Sequence, residues 1–342
     1  MRPGVLAGAL LAGGTAVSLA QTPAELAACA AIADNTARLA CYDRAVGRPA
    51  PPPPAMAASA PATTGQTTET SRLARRWDLD GLRAAEPFAP RPYKPVYLLP
   101  ATWTDRVNQQ PKSPSPDHSV FQDLDLRNIE AKYQISLKAL LGDRLFGTPA
   151  SLWGGYTQSS RWQVYNGADS RPFRETNYEP ELMLVWPLRG AWTEWGGWQM
   201  RMASLSLNHQ SNGRALPLSR SWNRLIGGVA LERDDWVAEL RAWKRITEAP
   251  EDDDNPDISD HVGRVELRMA RYWGEHALSL QLRHSMRSGS RSRGSAQVDY
   301  VFPLAGALHG QLQLFSGYGE SLIDYNQRQN KFGFGVTIAG WR

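Results

Sequence analysis

Three side chains stand where they could act together: His209 and Ser211 in the stretch 205–213, and Asn223 in the stretch 219–224. Both stretches read as β-strands, in which successive side chains point to opposite faces. The odd positions before the intervening turn are Leu205, Leu207, His209 and Ser211. Those after it are Ser221, Asn223, Leu225, Gly227, Val229 and Leu231. A hairpin symmetric about Leu216, with Pro217 as a turn residue, sets His209 opposite Asn223 and Ser211 opposite Ser221. Opposed residues lie about 5 Å apart, and next-but-one residues about 7 Å. The serine hydroxyl is then within reach of the imidazole, and the imidazole within reach of the amide.

That order has a chemical meaning. A serine hydroxyl is a weak nucleophile until a neighbouring imidazole takes its proton. The imidazole works when a third group fixes its tautomer and orientation. Asparagine brings no charge, so it stabilises an imidazolium less than aspartate does, but it costs less to hold near hydrocarbon. The rest of the face is leucine and valine, so a hydrolytic triad here would meet membrane as its substrate. An H-x-S with a later asparagine is also what a membrane strand shows where polar residues simply meet headgroups.

The elements that must carry these residues are strands. No apolar run reaches the roughly 18 residues of a helical span, whereas transmembrane barrels need apolar residues only at alternate positions. Thirteen tryptophans and eleven tyrosines fit interfacial aromatic girdles, and equally a β-rich soluble protein. From about Tyr93 onward, twelve strands can be placed. Outward apolar sets include Tyr133/Ile135/Leu137, Leu182/Leu184/Trp186, Leu278/Leu280/Leu282 and Phe332/Phe334/Val336/Ile338. Lys132, Lys138, Arg241, Glu266, Arg268, Gln311 and Gln313 occupy opposing positions. Lipid does not tolerate these, so they must point inward and satisfy one another. The expected fold is all-β: a 12-stranded antiparallel transmembrane β-barrel with a polar, plugged core.

Ahead of the barrel (93–342), residues 1–20 read as a secretory signal and 21–48 as a small helical segment over Ala24–Ala33 and Thr36–Ala45, with Asn35 as the break or cap. A Pro/Ala/Thr-rich linker follows at 49–71, then a pre-barrel segment at 72–92. Cys29 and Cys41 are the only cysteines, and an exported pair is most simply a disulfide. Leu26-Ala-Ala-Cys29 superficially resembles a lipoprotein box, but Pro23 and Glu25 interrupt the required apolar run. The net charge of +4 is modest, and no nucleic-acid motif is present. The basic cluster 287–293 reads as a solvated loop or a turn meeting anionic headgroups. The acidic run 252–257 lacks the glycine and glutamate of an EF-hand and reads as a surface loop.

The blocks 209–214 (His-Gln-Ser-Asn-Gly-Arg) and 219–224 (Ser-Arg-Ser-Trp-Asn-Arg) resemble the signature of outer membrane phospholipase A. So do 172–180, Asp254-Asn-Pro-Asp257 and 316–326, in the same order. The resemblance runs from about Tyr133 to the C-terminus, is weaker over 93–127 and is absent before. It implies an enzyme of the bacterial outer membrane, its active site towards the outer leaflet. It would cleave acyl esters, sn-1 and sn-2, of phospholipids and lysophospholipids with the triad His209, Ser211 and Asn223. It further implies Gly213 as an oxyanion donor and a Ca2+ ion held by the carbonyl of Arg214, the hydroxyl of Ser219 and Ser170 of the partner subunit in an active homodimer. Asp254 matches an acidic residue of a weaker monomer-state site. The chain departs from the family at Leu216, where an acidic partner for that site is usual. A catalytically idle porin or scaffold, and acyl transfer to an acceptor other than water, are the competing readings.

Overall fold

The computed structural model describes residues 23–45, 71–81, 87–168 and 173–339. The expected signal segment, the linker up to residue 70, Ser170 and the C-terminal Trp341 and Arg342 lie outside them. Residues 1–68 and 69–342 form two separate compact units.

In the first unit, α1 (Pro23–Ala30) and α2 (Asn35–Ala45) are joined by the Cys29–Cys41 disulfide, with Cα atoms 5.5 Å apart. The bond leaves Cys29 no free thiol to be acylated. Two expectations fail in detail. α1 stops three residues before Ala33, and the cap of α2 is Asp34, not Asn35. Asp34 Oδ1 accepts the Ala37 N–H at 2.8 Å, as a short side-chain acceptor just before the first turn does. The Asn35 amide oxygen instead accepts from Arg38.

The second unit is the barrel. Its strands begin with β1 (Val96–Thr104), β2 (Ile129–Gly142), β3 (Ser151–Trp162) and β4 (Phe173–Pro187). They continue with β5 (Trp198–Ser211), β6 (Ser221–Arg233), β7 (Trp236–Ile246) and β8 (Val265–Trp273). β9 (His276–His284), β10 (Gly294–Ala305), β11 (Leu308–Gly317) and β12 (Gln329–Ala339) complete the set. Each pairs antiparallel with its sequence neighbours, and β12 pairs with β1, closing the twelve-stranded sheet. The two-residue stretches 91–92 and 194–195 add short pairings on β2 and β5.

Alternation decides the two faces, as expected. Ile135, Leu137, Leu182, Leu205, Leu207, Leu240, Leu278, Leu312 and Phe334 are exposed on the outer wall, while Lys132, Lys138, Arg241, Glu266, Gln311 and Gln313 are buried inside. Most of these inner charges pair, while Lys138 lies over the Trp77 and Trp153 rings. Glu320, from the loop 318–328, lies 2.8 Å from Lys132, 3.0 Å from Arg161 and 3.0 Å from Lys331. Arg174 bridges Glu130 at 2.8 Å and Asp324 at 2.7 Å. Deleting one member of such a pair strands its partner's charge, a loss of about 3–5 kcal/mol.

The lumen is polar in its middle, as expected, and apolar clusters stand at its two ends. At the short-turn end, the periplasmic end by the usual asymmetry of such barrels, α3 (Arg72–Trp77) enters from the pre-barrel segment. Ser71 caps it by accepting the Ala74 N–H at 2.9 Å. Leu73, Ala74, Trp77 and Leu79 pack on inward side chains including Leu140, Trp153, Met183 and Tyr272. The Trp77 ring sits edge-on to Tyr93 and Trp153, 6.0 and 5.7 Å between centroids, and the Lys138 ammonium stands 3.0 Å over its face. The Leu73 N–H is donated to Glu232 at 3.2 Å, tying the helix to the end of β6.

At the long-loop end a second apolar cluster forms. Ile258 and Val262 from the loop 247–264, with Leu322 and Tyr325 from 318–328, cover Trp222, Ile226 and Trp243. The acidic run keeps Asp252 exposed, as a surface loop does, but its other acids are half-buried against partners. Asp253 lies 2.5 Å from Arg245, and the Tyr325 hydroxyl donates to Asp257 at 2.5 Å. Burial raises the Asp257 carboxyl, but hydrogen bonds from His261 and Tyr325 outweigh this and hold it below the ordinary value.

Two predictions follow from these contacts. Trp77→Ala removes a buried aromatic and should cost about 3 kcal/mol, lowering the urea midpoint of the vesicle-inserted barrel. An unchanged midpoint would show that α3 does not stabilise the barrel. A carboxyl depressed in the folded state contributes stability above its unfolded value of about 3.9 and loses it as pH falls through the folded value. Amide exchange over 257–264 should therefore accelerate in wild type below about pH 4, and Asp257→Asn should remove that acid step.

Candidate active site

The hairpin β5–β6 has the register that its symmetry about Leu216 implies: His209 faces Asn223 and Ser211 faces Ser221. His209 Nδ1 and Asn223 Oδ1 are 2.8 Å apart on the outer wall, among exposed Leu205, Leu207 and Leu225. An amide oxygen only accepts, so the proton of the ring sits on Nδ1 and Nε2 is left as a base. Ser211 lies two residues along on the same face, at the end of β5. Among the described residues its Oγ makes no hydrogen bond to the ring, so the structure joins two members of the candidate triad and sets the third beside them. Such contacts are often long without substrate and tighten when it binds.

On the neighbouring strand, Pro180 comes level with His209. Proline has no N–H to give a ladder, and the pairing of β4 with β5 skips from Tyr178–Ser211 to Glu181–Asn208. Pro180, Leu182, Leu207, His209, Asn223 and Ile246 line a lipid-facing groove. Its apolar floor suits an acyl chain and its polar end suits an ester.

The turn beyond Ser211 is held from inside. Asn212, buried, donates Nδ2 to the Leu218 carbonyl at 2.8 Å, and its Oδ1 accepts the N–H groups of Arg214 and Arg220 at 3.2 and 3.0 Å. The fully buried Arg220 guanidinium donates to the carbonyls of Pro217, Ser219 and His118 at 3.2, 2.6 and 2.9 Å. Gly213 takes φ +59°, and a Cβ there would lie 3.1 Å from the Tyr178 ring. Both the backbone and the close approach therefore call for glycine. Asn212 stands within the block 209–214, so its position was legible. The roles of Arg220 and His118 depend on the loop 105–128 folding over the hairpin, which no local pattern announces.

The expected calcium ligands are only partly brought together. Ser219 Oγ donates to Asp254 Oδ2 at 2.8 Å, Ser221 Oγ donates to the same oxygen at 3.2 Å, and His118 Nε2 lies 2.9 Å from Asp254 Oδ1. Arg214 is exposed in the turn, and Ser170 is outside the described residues. The donors are hard oxygens, which fits calcium, but one chain falls short of the six to eight that the ion takes. No cluster of three or more His, Cys, Asp or Glu side chains of metal-binding geometry occurs among the described residues.

A family model described as Phospholipase A1 matches residues 73–338, so the likeness reaches back through α3, further than the motif blocks indicated. The phospholipase A1 of Escherichia coli K12 is 37% identical over 254 residues, covering 74% of this chain and 82% of that relative. The Klebsiella pneumoniae phospholipase A1 is 37% identical over 252 residues, covering 74% and 83%. A crystal structure of the Salmonella typhi outer membrane phospholipase dimer with bound calcium superposes with a TM-score of 0.66 at 35% identity, covering 76% of this chain and 96% of that one. With this family match over residues 73–338 and a closed barrel of inverted polarity, the chain belongs to the phospholipase A1 family of outer-membrane β-barrels.

Proposed function

We propose that this protein hydrolyses the sn-1 and sn-2 acyl esters of phospholipids and lysophospholipids, with Ser211 as nucleophile, His209 as base and Asn223 as its orienting group. The observation that carries the reading is the His209–Asn223 bond at a lipid-facing groove, with Ser211 two residues further along the same face.

In this reading His209 Nε2 takes the Ser211 proton as Oγ attacks the ester carbonyl. The oxygen of that carbonyl becomes an oxyanion, met by the Gly213 N–H at a turn that Asn212 keeps rigid. The imidazolium then passes its proton to the departing glycerol oxygen, leaving an acyl-serine. A water loses its proton to His209, attacks the acyl carbonyl and releases the fatty acid and free Ser211. Bound Ca2+ would add positive charge near the oxyanion. The Arg214 carbonyl and Ser219 Oγ would hold it, completed by Ser170 of the partner subunit. Dimerisation is then the switch, since one chain offers too few ligands. Asp254, with Leu216 where an acid would help it, would hold a weaker monomer-state ion through one carboxylate.

Ser211→Ala and His209→Ala should each lower turnover of micellar phosphatidylethanolamine by about a thousandfold or more, with heat-modifiable barrel migration retained. Unchanged turnover in Ser211→Ala would point to an idle barrel, and fatty-acyl products on an acceptor other than water would point to acyl transfer. Chelation should silence the wild type, and Ser219→Ala should raise the calcium concentration that gives half-maximal activity. Dilution into excess micelles should lower specific activity, so full activity in a strictly monomeric fraction would remove dimerisation from the mechanism.

A further inference from the structure

Asn223 is a neutral orienting group, yet its amide is not free to turn. While Oδ1 faces His209, Nδ2 donates to Glu248 Oε1 at 2.7 Å. Glu248 lies just past β7, in the loop 247–264 that caps the barrel. Its other oxygen takes the Arg245 guanidinium at 2.9 Å, which also reaches Asp253 at 2.5 Å and the Asn255 carbonyl at 3.1 Å. Asn255, buried, returns to the hairpin by accepting the Ser221 N–H at 3.1 Å.

We propose that Glu248 is a positioning residue of the active site, supplying through Asn223 the negative charge that asparagine lacks. The inference rests on the triad reading above. An ionised carboxylate only accepts hydrogen bonds, so Nδ2 must face Glu248 and Oδ1 must face His209. That fixes the imidazole proton on Nδ1 and frees Nε2. The carboxylate also polarises the amide, since hydrogen bonds in a chain reinforce one another, and Oδ1 becomes a better acceptor as the ring charges. The charge itself is paired with Arg245 and largely covered, its side chain 17% exposed. An aspartate at position 223 would instead place it on the lipid-facing wall.

The test compares Glu248→Gln, Glu248→Asp, Asn223→Asp and the double variant Asn223→Asp/Glu248→Gln on micellar phosphatidylethanolamine with saturating calcium. Folding is checked by heat-modifiable migration. Glutamine still accepts from Asn223 but carries no charge. Glu248→Gln should therefore lower kcat about tenfold, within the range known for outer-shell partners, with KM nearly unchanged. Labelling of Ser211 by a serine-directed sulfonyl fluoride should slow by the same factor. Glu248→Asp, which keeps the charge, should retain more activity than Glu248→Gln. Asn223→Asp alone sets two carboxylates face to face and should be poor, whereas the double variant moves the charge one place inward and should exceed either single change. Wild-type kcat in folded Glu248→Gln, or a double variant no better than Asn223→Asp, would overturn the proposal. Such results beside an inactive Ser211→Ala would overturn this inference alone, while an active Ser211→Ala would overturn the triad itself.

Discussion

Hydrocarbon cannot hydrogen-bond a peptide group or solvate an ion, and the architecture follows from that constraint. A sheet in lipid has to close, because an edge would expose unpaired N–H and C=O groups. Once it closes, each strand has a wet side and a greasy side, and Lys132, Arg161, Arg174, Arg241 and Glu266 can only turn inward. There each has an oppositely charged group within hydrogen-bonding distance. Much of that pairing comes from Glu320 and Asp324 in a loop rather than a strand. The loop 318–328 is thus part of the core, and the polar layer it completes is sealed below by Trp77 and above by Tyr325.

The same constraint makes a polar site on the outer wall expensive, and the structure shows how that cost is met. The triad positions sit at the last turn of the β5–β6 hairpin, where the wall gives way to loops. Groups set back from the lipid hold them: Asn212 and Arg220 under the turn, Asp254 and Asn255 behind Ser219 and Ser221, Glu248 behind Asn223. Only neutral atoms of the constellation face the bilayer. The charged ones stand a residue further back, among loop residues that can reach water or each other. A constellation held this way depends on the packing of the cap, so the loops 105–128 and 247–264 help to position His209, Ser211 and Asn223 although neither carries them.

Strand parity made much of this legible in the sequence. Period-two alternation gave twelve strands and their polarity because charged side chains in mid-strand are forced inward. Symmetry about Leu216 gave the hairpin register, and a slip of one residue would have put Asn223 on the opposite face from His209 and Ser211. Contacts made only by distant segments were not legible. The stretch 72–77, Arg-Leu-Ala-Arg-Arg-Trp, shows no strand alternation and is too short for helical periodicity, so its apolar residues declare themselves only against the barrel's inner wall. The acidic run 252–257 looks like a solvated loop until Arg245, His118 and Tyr325 arrive from three other places in the chain. Asp34 displaced Asn35 as the cap of α2 by a one-residue offset that composition does not fix.

The ion-paired lumen also bears on which face of the barrel works. A pore needs a continuous wet path, but among the described residues the central charges pair around a polar cavity and apolar clusters stand towards both ends. A substrate entering that path would have to break paired ions one after another, each break leaving a buried charge uncompensated. No such barrier separates the outer groove from the bilayer. Its Leu182, Leu207 and Ile246 already face acyl chains, and its polar end is the His209–Asn223 pair. A lipid reaches that end by lateral diffusion, without leaving the membrane. The inverted polarity that seals the interior is therefore what leaves the outer wall as the accessible surface for chemistry.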